Sequence, residues 1–285
     1  MCIRDRYRIL HKTTYNYSEP VFDSFNSLKL YPNNCESQSV ELCVISVTPS
    51  CNLRHYYDFF NNKTQYFNIF NNHYGLTIIS DTIVSVNERE KFPYGSSLNN
   101  STNNNLLEKF RDYIVSSKYV VITPEIWRTA IDIREDTDDI YQIAYKIMSY
   151  IFQTFDYDTE ATDVRTNSDK AFNLKKGDCQ DYAHVMTSIC RSLKIPARYV
   201  SGYIYESDQN ILIGTGATHA WVEVYIPSKN CWYGLDPTNN LIVDDNYIKI
   251  AHGRDYNDVA PITGTIKGGG KKRSLEVDVK IERIN

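Results

Sequence analysis

The stretch from Gly177 to Leu193 constrains the fold more than any other, because it predicts a tight turn followed by a helix that begins at a cysteine. Gly177 permits the sharp entry, and the Asp178 carboxylate can accept the free amides of the first turn as an N-cap. The apolar face of this helix contains Ala183, Met186, Cys190 and Leu193. Cys179 shares that face one turn earlier, at the end where free N–H groups and the helix dipole stabilise a thiolate. The helix therefore presents either a buried structural cysteine or an activated thiol.

Regions of predicted β structure lie on both sides of a helical region. Residues 7–86 consist of segments rich in β-branched and aromatic residues, separated by turn signals, and predict a small antiparallel β-sandwich. The polar run 96–105 predicts a linker. Helices are predicted at 106–115, from Thr123 onward, at 138–155 and around 168–174, and strands follow at 197–206, 218–226, 231–235 and 275–284.

Helices followed by consecutive strands are typical of an α+β domain with an antiparallel sheet. We therefore predict two domains. Residues 1–95 form the N-terminal antiparallel β-sandwich, and residues 106–285 form an α+β core that includes the C-terminal strands. The glycine-rich run 264–272 lacks the spacing of a phosphate-binding loop and is interpreted as a hairpin or a bulge.

Composition and charge exclude several classes of function. The net charge of −4 gives no basis for nucleic-acid binding. No apolar run approaches the roughly 20 residues of a membrane helix. No signal peptide is recognisable, so we expect a cytoplasmic protein. The seven cysteines include no C-x-x-C pair, which predicts free thiols and gives no support for a metal or another cofactor.

Two polar residues far from Cys179 in sequence are candidates to act with it. His219 begins a predicted strand and Asp236 ends the next one, where Pro237 stiffens the chain. Adjacent antiparallel strands bring the start of one beside the end of the other, so these two side chains are expected to be neighbours. An imidazolium lowers the pKa of a nearby thiol, and a third group orients the imidazole. Cys179, His219 and Asp236 could fill the roles of nucleophile, base and orienting residue, while a single histidine at a strand end and a single aspartate before proline are more often structural.

Four motifs together closely resemble the bacterial transglutaminase-like family, which belongs to the papain-like transglutaminase-core superfamily. They are GDCQDYAH at 177–184, IPARYVSGY at 195–203, HAWVEV at 219–224 and DPTN at 236–239. The similarity extends to residues 252–259 and 268–270, and residues 7–86 look like the β-sandwich domain that precedes this core in the family. The resemblance implies a papain-like core with the same three catalytic residues. Relatives often carry a small apolar residue in place of Asp178.

The resemblance also implies a reaction: a cysteine protease or transglutaminase that acts on a peptide or protein amide through a thioester acyl-enzyme. We favour hydrolysis over transfer to an amine, and the backbone N–H of Cys179 as one oxyanion donor. Asp181 and His184 point away from the Cys179 face and are predicted to have structural roles. Two alternatives remain open: a non-catalytic transglutaminase-like binding module, and a zinc site formed by Cys179, His184 and His219, which lack the usual ligand spacing. The oligomeric state does not follow from the sequence.

Overall fold

The first sheet is organised around one long strand, β1 (Asp5–Leu28). The computed structural model describes residues 5–87, 96–98, 104–206, 212–214 and 217–284. The antiparallel partners in this sheet are β2 (Gln38–Thr48), β3 (Arg54–Tyr57), β4 (Lys63–Ile69), β5 (His73–Val86), β13 (Ile262–Gly268) and β14 (Arg273–Ile284). Their order is β2-β5-β1-β4-β3, with β13 and β14 also paired with β1.

The strand β1 belongs to both halves of the sheet. Its first half pairs with β5 and β14, and its second half, after an irregularity between residues 16 and 21, pairs with β4 and β13. The two halves face each other across a small apolar core composed of Leu28, Leu30, Phe67, Ile69, Leu76 and Ile78. The antiparallel β domain expected at the N-terminus is therefore present, as one curled sheet that encloses its own core.

The assignment of the C-terminal strands to the core domain was wrong. β13 lies along residues 21–28 of β1 and β14 along residues 6–17, so both complete the N-terminal sheet. Between them, Gly268 and Gly270 have positive φ angles of 85° and 68° opposite the irregular part of β1. A Cβ on Gly270 would lie 2.3 Å from the Ser18 hydroxyl oxygen, so the run is a bulge that only glycine can form. The C-terminal strands follow the core in sequence, which suggested that they belong to it. Their location is instead determined by pairing with β1, which is far away in sequence.

The core consists of helices packed on a second antiparallel sheet. The helices are α1 (Asn104–Lys109), α2 (Pro124–Arg134), α3 (Ile140–Thr154), α4 (Ser168–Leu174), α5 (Cys179–Ser192) and α6 (Tyr256–Val259). The sheet contains β8 (Ala197–Ile204), β9 (His219–Ile226), β10 (Cys231–Asp236), β11 (Leu241–Ile242) and β12 (Tyr247–Gly253), in the order β11-β10-β9-β8-β12. A short parallel pair, β6 (Asp156–Tyr157) and β7 (Lys176–Gly177), precedes α5.

Helix α5 lies at the centre of the core. It contacts β8 and β9 on one side and α2, α3 and α4 on the other. Every residue of α5 after Cys179 is buried, so the helix is enclosed on all sides, which a single apolar stripe does not predict. The Arg191 guanidinium is fully buried and donates hydrogen bonds to the carbonyls of Val115, Ala197 and Arg254. Neutral carbonyl acceptors therefore satisfy this buried charge.

The described part of the predicted linker is not a free connection. Ser96 and Leu98 are buried, and the Leu98 N–H donates to the carbonyl of Asp138 over 2.6 Å. The Ser96 carbonyl accepts from the Ile140 N–H, so this short segment is fixed to the start of α3. Residues 99–103 lie outside the described residues. Within the described ranges, no helix has the length and apolar character needed to cross a membrane.

Candidate active site

A reciprocal cap holds Cys179 at the first position of α5. The Asp178 carboxylate accepts the N–H groups of Gln180 and Asp181 at 2.9 and 3.3 Å. The Asp181 carboxylate in return accepts the Asp178 N–H at 3.0 Å. A Cβ on Gly177 would lie 2.4 Å from Asp181 Oδ2, so the turn requires glycine. The Cys179 thiol is half-buried at an end of the helix that favours negative charge.

His219 and Asp236 form a fully buried pair beside this helix end. His219 begins β9, and Asp236 ends β10, its antiparallel neighbour. His219 Nε2 and Asp236 Oδ2 are 2.9 Å apart, and neither side chain is exposed. Burial lowers the pKa of His219, but the charge and hydrogen bond of Asp236, together with Cys179, raise it to about 10. The imidazole is therefore protonated at neutral pH.

Asp236 is held by donors on both of its oxygens. Oδ2 accepts hydrogen bonds from the Tyr247 hydroxyl and the Asn239 side-chain amide, each at 2.9 Å, in addition to His219. Oδ1 accepts the backbone N–H groups of Thr238 at 2.9 Å and Asn239 at 3.4 Å. Burial raises the pKa of Asp236, but the His219 charge and these donors hold it below its ordinary value. The carboxylate thus remains ionised and its orientation is fixed.

Cys179 approaches the remaining nitrogen of the imidazole. Asp236 engages Nε2, which leaves Nδ1 as the ring nitrogen on which Cys179 can act. Cys179 raises the pKa of His219. Among the described residues, no group meets Nδ1 with the alignment of a full hydrogen bond. Cys179 thus raises the pKa of His219 without a formed hydrogen bond to Nδ1, and catalytic hydrogen bonds are often long or poorly aligned before substrate binds.

Comparison with known sequences decides the family. Residues 128–237 match the sequence profile of the transglutaminase-like superfamily, and residues 7–85 match that of the bacterial transglutaminase-like N-terminal region. The chain belongs to the bacterial transglutaminase-like family. A known structure of a Cytophaga hutchinsonii protein, described provisionally as a cysteine protease, superposes with a TM-score of 0.80 at 20% identity. That match covers 99% of this chain and 92% of the other, and it shows that the transglutaminase-like fold extends over the whole molecule.

Sequence relatives match either nearly the whole chain or a part of it. An uncharacterized protein of Mycobacterium leprae is 27% identical over 281 residues, which cover 98% of this chain and 99% of the relative. The peptide-N(4)-(N-acetyl-beta-glucosaminyl)asparagine amidase of Drosophila melanogaster is 32% identical over 79 residues, 28% of this chain and 10% of that enzyme. A segment of this chain thus resembles a small part of a much longer enzyme.

The three residues predicted from sequence lie together, whereas His184, the remaining ligand of the alternative zinc site, is engaged elsewhere. His184 is enclosed between the rings of Tyr119 and Tyr199, and its Nε2 accepts the Tyr256 N–H at 3.1 Å. Burial and the charge of Arg191 lower the pKa of His184 to about 3, so the ring is neutral. Asp181 is engaged in the helix cap. No cluster of three or more His, Cys, Asp or Glu able to hold a metal ion occurs within the part of the chain that the structure describes.

Sequence reasoning missed the residues that support the predicted three. Tyr247 begins β12, a strand that was not predicted, and Asn239 was recognised only as the last letter of the DPTN motif. Tyr157 and Gly214 also lie beside His219, as described below. Isolated tyrosines and glycines in polar loops carry no periodic signal, so only the folded arrangement reveals them.

Proposed function

We propose that this transglutaminase-like protein is a cysteine-dependent amide hydrolase or acyltransferase that acts through a thioester on a peptide or protein amide. The observation that carries the proposal is the fully buried hydrogen bond between His219 and Asp236 next to a thiol at a helix N-terminus, and the raised pKa of His219 supports it. This arrangement supplies an imidazolium partner for a thiolate and a proton for a leaving amine.

In the first half-reaction, the Cys179 thiolate attacks the amide carbonyl and forms a tetrahedral oxyanion. His219 then donates its Nδ1 proton to the leaving nitrogen, the C–N bond breaks, and a thioester remains. The imidazole is now neutral. In the second half-reaction it accepts a proton from water or an amine as that nucleophile attacks the thioester. The C–S bond then breaks, the acid or the new amide is released, and the Cys179 thiolate and the His219 imidazolium are restored. Asp236 keeps the ring oriented and stabilises its charged form throughout.

We favour water as the acyl acceptor. The local similarity to an amidase that cleaves a side-chain amide supports hydrolysis, although the triad serves both reactions equally. A peptide or protein substrate and a cytoplasmic location remain predictions. A library of peptides incubated with and without an added primary amine separates the outcomes, since a hydrolase releases acid in both cases whereas a transglutaminase incorporates the amine.

The identity of the nucleophile is tested with two matched cysteine variants. Cys179→Ala should abolish amide cleavage, whereas Cys35→Ala, which removes an exposed thiol of the N-terminal sheet, should retain it. Iodoacetamide at neutral pH should label Cys179 faster than the other thiols of the wild-type protein, and His219→Gln should slow that labelling. Uniform slow labelling, with no cleavage of any peptide, would instead support a non-catalytic binding module.

A further inference from the structure

We propose that the Tyr157 hydroxyl is the second donor of the oxyanion hole, beside the backbone N–H of Cys179. This inference rests on the proposed acyl-transfer function. Attack of the thiolate converts the carbonyl oxygen into an oxyanion, which needs preorganised donors close to the position that this oxygen reaches. The helix terminus provides one N–H group at Cys179, and the structure identifies a hydroxyl that faces the same space.

The backbone fixes Tyr157 next to the turn that leads into Cys179. Tyr157 belongs to β6, and its partner in the parallel pair with β7 is Gly177, two residues before the nucleophile. The Asp158 N–H donates to the Gly177 carbonyl over 3.0 Å, which extends this pairing by one residue. The Tyr157 ring also meets the Tyr182 ring edge-on, with centroids 6.1 Å apart. Tyr157 is therefore anchored to the catalytic helix on two sides.

The hydroxyl lies across a narrow space from the imidazole. A Cβ built on Gly214 would be 3.6 Å from Tyr157 Oη and 2.9 Å from His219 Nδ1. Tyr157 Oη and His219 Nδ1 therefore both border the position that a side chain at residue 214 would occupy. Because Gly214 has no side chain, it places no atom at that position. Cys179 acts electrostatically on both groups, since it raises the pKa of Tyr157 as well as that of His219.

The Tyr157 hydroxyl is available as a donor. Within the described residues it has no hydrogen-bond partner. Burial, the Cys179 sulfur and the Asp178 carboxylate all raise the pKa of Tyr157, so the hydroxyl keeps its proton. The other polar side chain of this turn, Gln180, is engaged, since its Nε2 donates to the Val164 carbonyl at 3.3 Å.

The variant Tyr157→Phe keeps the ring and removes only the hydroxyl. We expect the kcat for deacetylation of 4-nitrophenyl acetate to fall about 10²–10³-fold, the usual effect of losing one oxyanion donor, with little change in KM. Alkylation of Cys179 by iodoacetamide should stay within about twofold of wild type, because displacement at a saturated carbon forms no oxyanion. Tyr182→Phe is the matched control and should leave both rates unchanged, and Cys179→Ala provides the background.

Each other outcome is decisive. Wild-type ester turnover in Tyr157→Phe would overturn the oxyanion role while leaving the proposed function intact. A parallel fall in ester turnover and alkylation would also overturn it, because the hydroxyl would then act on the thiolate and not on the oxyanion. If wild-type protein turned over no more ester than Cys179→Ala, the proposed function itself would fail.

Discussion

The variant Asp236→Asn tests the electrostatic basis of the site. The rise of the His219 pKa from its ordinary 6.5 to about 10 corresponds to about 5 kcal/mol in favour of the imidazolium, at about 1.36 kcal/mol per pKa unit. The Asp236 charge is the largest contribution that raises this pKa, so its removal leaves burial to dominate, and burial lowers the pKa. We expect the His219 pKa to fall below 6.5 in the variant.

The hydrogen bonds at Asp236 also oppose an asparagine. Both carboxylate oxygens accept hydrogen bonds from donors only. Whichever way the asparagine amide is oriented, its NH₂ group faces N–H or O–H donors and leaves buried groups unpaired. Each unpaired donor costs about 1–3 kcal/mol. If the NH₂ faces His219, the imidazole is also driven to the wrong tautomer, which in a comparable triad lowers kcat by on the order of 10⁴-fold.

Three measurements follow from this reasoning. The Cε1–H signal of His219, identified by its loss in His219→Gln, should titrate near pH 10 in wild type and below 6.5 in Asp236→Asn. A raised histidine pKa stabilises the fold fully below 6.5 and loses its effect as the pH rises through 10. The difference in free energy of unfolding between wild type and Asp236→Asn, measured in urea, should therefore become smaller as the pH rises from 6.5 to 10. Asp244→Asn changes a carboxylate in the neighbouring loop that, among the described residues, accepts hydrogen bonds from Asn246 alone, and it should leave kcat unchanged. An Asp236→Asn protein with kcat within threefold of wild type and an unshifted histidine titration would refute the argument.

Three further predictions concern the surroundings of the site. Gly214→Ala places a methyl group 2.9 Å from His219 Nδ1, at a φ of 83° that disfavours alanine. We expect kcat for 4-nitrophenyl acetate to fall about 10²-fold because the imidazole is displaced, and an unchanged kcat would contradict this. Burial, with the nearby Asp178 charge, raises the pKa of Asp181 to about 7 despite an opposing hydrogen bond from Thr162. The contribution of Asp181 to stability is therefore lost as the pH rises from 4 to 7, and the melting temperature of Asp181→Asn relative to wild type should be higher at pH 7 than at pH 4; an equal difference at the two pH values would contradict it. Glu223→Gln leaves the buried side chains of Lys249 and Arg198 without their carboxylate partner. The free energy of unfolding in urea should fall by about 3–5 kcal/mol, and a fall below about 1 kcal/mol would contradict a buried ion pair.

The predicted site residues follow from short-range information. Strand alternation and the adjacency of β9 and β10 in sequence were enough to bring His219 beside Asp236, and the Gly-Asp entry placed Cys179 at a helix tip. A helix was predicted at 138–155, and α3 spans Ile140–Thr154. Local patterns therefore account for the three residues to which we assign chemistry.

Features that depend on long-range pairing escaped the sequence. Strand β12 pairs with β8 and not with its neighbours in the chain, and this crossover delivers Tyr247 to Asp236. β14 joins β1 across nearly the whole chain, for which no local periodicity exists. The full burial of α5 likewise arises because three helices cover the side that faces away from the second sheet.

Because β13 and β14 complete the sheet begun by β1, the transglutaminase-like core is an insertion between β5 and β13. During synthesis the edge of β1 that receives them stays open until residues 262–284 have left the ribosome. An open edge of this length invites pairing with other chains. The nascent N-terminal region thus depends for its closure on residues 262–284, and a truncation that removes them would leave the N-terminal sheet incomplete.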